Sequence, residues 1–456
     1  MNNAGGVFLR RYWALGRLAD LQRALELWQQ AVQATPPDSP DLPGYLNNLG
    51  NGLSDRYART GQLADLAEAI RVYEQALQAT PPDSPDLPLL NNLGTGLRAR
   101  YAATGQLADL AEAIRVYEQA VQGTPPDSPD LPSLLNNLGT GLRARYARTG
   151  QLADLAEAIR VYEQALQATP PDSPDLPSLL NNLGTGLRAR YARTGQLADL
   201  AEAIRVYEQA LQATPPDSPA LPGYLNNLGN GLRARYARTG QLADLAEAIR
   251  VYEQAVQATP PDSPDLPGYL NNLGNGLRAR YARTGHPWDL EEAILVTQQA
   301  VARTPPDSPD LPSTLHNLGI GLRARYAGTG RLEDLEEALK VNQQAVQLTP
   351  PDSPDLSRYL LEQGDALAEK YVLVEDLDSL EPAISCYEQA TFLSLTLAPY
   401  ILQEVARRTL GTTKQLIVHG KVTDALSLTT RLQALTAQQI PKRGDALTRP
   451  KPETIA

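Results

Sequence analysis

Cysteine is almost absent: Cys386 stands alone, so no disulfide can form within the chain, and a reducing cytoplasm is the expected compartment. Long apolar runs are missing too. No segment approaches the roughly 20 residues that a membrane helix needs, and the stretch from Met1 to Leu9 is too short, before Arg10 and Arg11, to read as a secretion signal. Lysine is scarce, 6 against 35 arginines, and the net charge is -11. An acidic surface is a poor match to nucleic acid, whose binding depends on neutralising phosphates. The three histidines, His286, His316 and His419, have no spacing suited to a metal. No cofactor, metal, membrane or nucleic-acid partner is therefore expected.

What the chain has in abundance is itself. Thr-Pro-Pro-Asp-Ser-Pro begins at Thr35, Thr80, Thr124, Thr169, Thr214, Thr259, Thr304 and Thr349, a step of 45 residues with one step of 44. Length alone would suggest about three domains. A period of this kind instead means stacked units with one continuous core. In the second copy Leu46, Leu49, Leu53 and Tyr57 make the apolar stripe of an amphipathic helix, helix A. Ser39-Pro40-Asp41 offers an N-cap and a favourable charge at its start. Thr60-Gly61 stops it, since glycine takes the left-handed conformation without strain. Asp65 and Glu68 have capping-box spacing, so a second helix is expected to begin near Leu66. Its stripe is Leu66, Ala69, Ile70, Tyr73, Ala76 and Leu77, and Pro81 and Pro82 end it. This is helix B.

The unit resembles a tetratricopeptide repeat. Leu46-x2-Leu49-Gly50-x2-Leu53 occupies the first-helix pattern, and Ala69-x3-Tyr73, Ala76 and Pro81 the second. Leu46 replaces the usual aromatic, and the unit has 45 residues where the family has 34. The long form, with Leu-Asn-Asn-Leu-Gly, Arg-Tyr-Ala-Arg-Thr-Gly and Thr-Pro-Pro-Asp-Ser-Pro, is similar to arrays that precede CHAT domains, which are caspase-like proteases. The resemblance implies an all-α, right-handed α-solenoid, with helix A on the concave face and helix B on the convex one. The expected organisation is an array of about nine hairpins over residues 1–390, a degenerate capping hairpin over 391–440 and a disordered tail over 441–456. The first copy starts inside helix A, with Val7, Phe8, Trp13 and Trp28 near an uncapped end where self-association could occur.

No catalytic centre is expected. His419-Gly420 and Cys386 could suggest a caspase-like pair, but their order is reversed and both lie on a helical pattern. Gly50-x-Gly52 lies inside helix A with no strand before it, so it reads as close helix packing and not as a phosphate loop.

Helix A residues outside the core form a second stripe: Asn91, Thr95, Arg98; Asn136, Thr140, Arg143; Asn181, Thr185, Arg188; Asn226, Asn230, Arg233; and Asn271, Asn275, Arg278. Asparagine amides can pair with a peptide backbone, and guanidinium groups attract acidic side chains. Copying of a solvated face by duplication would give the same recurrence. The stripe points to a protein or an extended, acidic peptide as partner. The function expected is a non-catalytic protein-interaction scaffold. The alternatives are a regulatory arm of a CHAT-type protease and a self-associating structural solenoid. The second asparagine, Asn48 and its equivalents, is expected to bond a neighbouring helix or loop.

Overall fold

The computed structural model describes residues 2–80, 87–374, 377–396 and 402–439. The expected tail over 441–456, and residues 397–401 and 440 of the expected capping hairpin, lie outside these residues. Every regular element among them is an α-helix. The chain divides into two compact units, residues 1–238 and 239–456. The first holds α1 (Asn2–Leu15), α2 (Leu18–Ala34), α3 (Leu42–Thr60), α4 (Leu63–Ala79), α5 (Leu87–Thr104), α6 (Leu107–Gly123), α7 (Leu131–Thr149), α8 (Leu152–Gln167), α9 (Leu176–Thr194), α10 (Leu197–Gln212) and α11 (Leu221–Thr239), which ends at the boundary. The second holds α12 (Leu242–Gln257), α13 (Leu266–Thr284), α14 (Pro287–Arg303), α15 (Leu311–Thr329), α16 (Leu332–Leu348), α17 (Leu356–Val374), α18 (Leu377–Thr396), α19 (Leu402–Val418) and α20 (Val422–Gln439). Odd-numbered helices from α1 to α17 are helix A of each copy, and their successors are helix B.

The α7–α8 hairpin shows why each copy folds as it does. Pro132 sits in the first turn of α7, where its missing N–H costs nothing. Asp130 stands at the N-cap without a side-chain bond. The Ser128 hydroxyl, two residues further out, accepts from Asp130 N at 3.2 Å. Gly150 closes α7 at φ 71°, donating to Tyr146 O at 2.7 Å. Thr169 Oγ1 caps α8 on Ala165 O at 2.6 Å, and Pro170 then opens a turn that Ser173 closes at 3.0 Å.

Helix B begins earlier than the capping-box spacing implies. In the second copy α4 starts at Leu63 behind Gln62, with no side-chain cap. Asp65 is taken instead by Arg56 of the same hairpin, through two bonds of 2.9 and 2.6 Å, and Glu68 pairs with Arg71. The planar guanidinium fork matches a carboxylate better than one backbone N–H does.

The two glycines of helix A serve two different neighbours. A Cβ on Gly139 would lie 2.6 Å from the ring of Tyr162 in its own hairpin, and one on Gly141 would lie 3.1 Å from Ile114 of the preceding copy. The Gly-x-Gly signature is therefore close packing, one contact within a copy and one between copies. In the first unit α2, α4, α6 and α8 each pack on their own helix A and on the next, α10 packs on α9, and α3, α5, α7 and α9 also meet one another in succession.

In the second unit the pattern loosens. Thr297 and Asn342 replace the helix B tyrosine; Thr297 bonds back to Ala293 O at 2.7 Å, while the Asn342 amide, 1% exposed, has no hydrogen-bond partner. Tyr387 restores the ring, and Tyr371, Ile384, Val405, Leu416 and Leu428 unite α17 to α20 in one core.

Candidate partner-binding face

From α5 to α13 each helix A presents three polar positions, and the structure gives each a distinct occupation. The first asparagine is half committed. Its carbonyl accepts from the second asparagine of the next copy: Asn92 to Asn47 at 3.0 Å, Asn137 to Asn91 at 2.8 Å, Asn182 to Asn136 at 2.8 Å and Asn227 to Asn181 at 2.9 Å. Asn48 bonds Asn2 at 3.0 Å, and in the second unit Asn317 bonds Asn271 at 3.0 Å. The second asparagine thus bonds the neighbouring helix, as the sequence suggests. The first keeps its NH2 as the group able to meet a peptide carbonyl.

The small polar position receives the helix B tyrosine. Thr95 meets Tyr117 OH at 3.1 Å, Thr140 meets Tyr162 OH at 3.2 Å, and Tyr207 OH donates to Thr185 at 3.2 Å. Asn51 accepts from Tyr73 OH at 2.7 Å; burial pushes that phenol up to about 12. Asn230 is half-buried in α11, and Asn275 in α13 accepts from Arg278 at 3.0 Å. Asn226 and Asn271 lie on the same helices at the first position.

The third position is the arginine. Arg98, Arg143, Arg188 and Arg233 are half-buried, and the Nε of each is buried without a hydrogen-bond partner. Arg188 lies near enough to Tyr207 to oppose the rise that burial imposes on that phenol. The other arginine of each helix A is differently placed: Arg100, Arg145 and Arg190 close on Asp109, Asp154 and Asp199 at 2.6 to 2.7 Å. Sequence reasoning missed these pairs, although an Arg and an Asp nine residues apart recur in copy after copy.

The equivalent arginine of α15 is fully engaged. Arg323 meets Glu362 at 2.8 Å, Asp365 at 3.1 Å and Glu369 at 3.6 Å, and Arg408 of α19 reaches Glu362 at 2.8 Å and Asp365 at 2.9 Å. Burial pushes the Glu369 carboxyl up to about 7.

The residues weighed for chemistry are scattered. Cys386 is half-buried in α18, and burial pushes its thiol up to about 11, which suppresses the thiolate. His419 is exposed at the end of α19. Burial holds the His316 imidazole down at about 3, with its ring 4.7 Å from that of Tyr359. Among the described residues no three His, Cys, Asp or Glu side chains group as metal ligands, and no helix is long and apolar enough to cross a membrane.

A family model for the tetratricopeptide repeat matches residues 44–86, 89–130, 133–175, 178–220, 223–265 and 313–355, more than half of the sequence. The chain belongs to the tetratricopeptide-repeat family. Repeats of this family generally mediate protein–protein interaction. No curated protein matches the sequence. Solved structures with a similar fold include the C-terminal part of a tetratricopeptide repeat-containing protein from Cytophaga hutchinsonii, 15% identical over 68% of this chain and 96% of that one, TM-score 0.42. The human IFIT1 dimer with PPP-AAAA is 14% identical over 92% and 86%, TM-score 0.46. BtubC from P. vanneervenii is 19% identical over 53% and 88%, TM-score 0.38.

Proposed function

We propose that this tetratricopeptide-repeat protein is a non-catalytic scaffold whose helix A face, in the first unit, binds an extended acidic segment of a partner protein. One observation carries the reading: Arg98, Arg143, Arg188 and Arg233 each hold a buried Nε with no partner. Such a donor costs about 1–3 kcal/mol until something accepts from it, and a carboxylate accepts from guanidinium better than any neutral group. Arg323 supports the choice, because carboxylates fill the space around the equivalent side chain. Packed helices lie about 8–10 Å apart and an extended chain advances about 3.3 Å per residue, so each copy spans about three residues of ligand. The segment carries an acidic side chain near every third position, and its backbone carbonyls meet the asparagine NH2 groups.

The test uses a fluorescein-labelled 12-residue peptide with glutamate at every third position, read by anisotropy on the full chain. Replacing Arg143, Arg188 and Arg233 by Ala is expected to abolish binding, while replacing Arg115, Arg160 and Arg205, which pair with glutamates on helix B, leaves it intact. Affinity should also fall as salt rises, since the face is open to solvent. Equal loss in both triple variants overturns the assignment to helix A.

A further inference from the structure

The arginine stripe stops short of the first two copies, and what replaces it is a different kind of site. At the arginine position stand Leu9 in α1 and Ser54 in α3. Two further substitutions accompany the loss. Asp55 occupies a place that is Ala99, Ala144, Ala189 and Ala234 in later copies, and Trp13 occupies the place of Ala58, Ala102 and Ala147. The two newcomers meet: Trp13 Nε1 donates to Asp55 Oδ2 at 2.9 Å. They line a cavity of about 470 Å³ between α1, α3 and α5, with Leu9 and Leu66 among its apolar walls and Ser54 and Thr95 among its polar ones.

The charge in this cavity is unmatched. Asp55 is half-buried, and among the described residues its hydrogen-bond partner is the neutral indole; no Arg or Lys pairs with it. From α5 to α15 alanine stands at this position, and where a carboxylate returns, Glu369 in α17, it faces Arg323. Trp13 is 64% exposed although it is bonded to Asp55, so an indole face stays open to a ligand. An open indole face, one uncompensated carboxylate and apolar walls suit a cation on an aliphatic stem. The ring attracts the cation, the carboxylate neutralises it, and the walls cover the methylenes.

We propose that the cavity between the first copies is a pocket for a basic side chain, arginine in preference to lysine because a planar guanidinium also stacks on indole. This rests on the peptide-binding reading for its context: the partner segment would carry a basic anchor about three residues ahead of its first acidic position. The face is then bipolar, acceptor at one end and donor along the rest, and it fixes the direction in which a segment lies.

The experiment separates the pocket from the stripe. In the full chain bearing Trp288→Phe, Trp28 is 2% exposed and serves as a constant background, so ligand-dependent fluorescence reports Trp13. N-acetylarginine methylamide is expected to quench it saturably, the lysine analogue more weakly and the citrulline analogue not at all. Asp55→Asn, which can still accept from Trp13, should remove the response without changing helicity. Absence of a saturable response to the arginine derivative, or an equal response to citrulline, overturns the pocket. A second arm uses the glutamate peptide extended by arginine or by citrulline at the anchor position. Arginine should tighten binding about tenfold, and that gain should vanish in Asp55→Asn but persist as a ratio when single stripe arginines are replaced. If the glutamate peptide itself fails to bind while the arginine derivative quenches Trp13, the stripe reading falls and the pocket stands.

Discussion

Arg188 in the first unit and Arg323 in the second occupy the same position of helix A, yet one has a buried Nε without a partner and the other is closed in by three carboxylates. The difference is made by the following copy. Where the first unit has Asn227 and Asn230 after Arg188, the second has Glu362 and Asp365 after Arg323, with Glu369 in place of an alanine. Asp365 also accepts from Tyr387 OH at 2.8 Å, the task that Thr185 performs for Tyr207. A recurring arginine thus keeps an unpartnered Nε or joins an ion-pair cluster according to what its neighbour presents, and recurrence alone does not decide which.

The largest effect should come from removing each arginine in turn. Arg323→Met removes one of the two arginines that hold Glu362, whose side chain is 1% exposed, and leaves it to Arg408; it should destabilise the second unit by about 1.5–3 kcal/mol in urea unfolding. Arg188→Met removes an unpartnered buried donor and should leave the first unit no less stable, with a gain of up to about 1–3 kcal/mol. Equal costs would break the comparison. A smaller gain is expected from restoring the first-unit pattern in α15 and α16. Ile320→Thr with Asn342→Tyr replaces an unpartnered buried amide by a ring and supplies the hydroxyl its partner, which should stabilise the second unit by about 1–2 kcal/mol in the same assay.

The reverse graft sharpens the contrast. Thr185→Asp places a carboxylate where Asp365 stands relative to Arg323, so it should engage Arg143 and still accept from Tyr207. Anisotropy should then show affinity for the glutamate peptide reduced about tenfold, about 1.4 kcal/mol, with the thermal midpoint little changed. The smallest effect is the titration of one carboxyl. The Glu369 pKa lies above its unfolded value, at about 7, so the folded state holds its proton more tightly than the unfolded one. Its contribution is complete below the unfolded pKa and is lost as pH rises through about 7. Thermal midpoints between pH 5 and pH 8 should fall for the second unit, and Glu369→Gln should flatten that slope.

Much of the fold was legible because hairpin periodicity is written in the backbone-directing residues. Gly61 and its equivalents end helix A at positive φ, and the paired prolines end helix B. The candidate site was less legible. Asparagine was read as a ligand-facing amide, but its carbonyl half belongs to the next copy, a bond between residues 46 apart that no local pattern reveals. Asp65 has the spacing of a helix cap, and it is claimed by an arginine nine residues earlier. Ser54 could be seen to break the arginine stripe, but the meeting of Trp13 with Asp55 depends on how α1 lies against α3.

The asparagine ladder gives each copy a plug on one side and a matching socket on the other. Copies so made are interchangeable: one can be gained or lost by unequal exchange between neighbouring stretches of its gene, and every plug still finds a socket. The last copies depart from this scheme. His316 stands where the socket should be and Glu362 where the plug should be, and because a carboxyl group has no N–H to donate, the copy that begins with α17 cannot plug a standard socket.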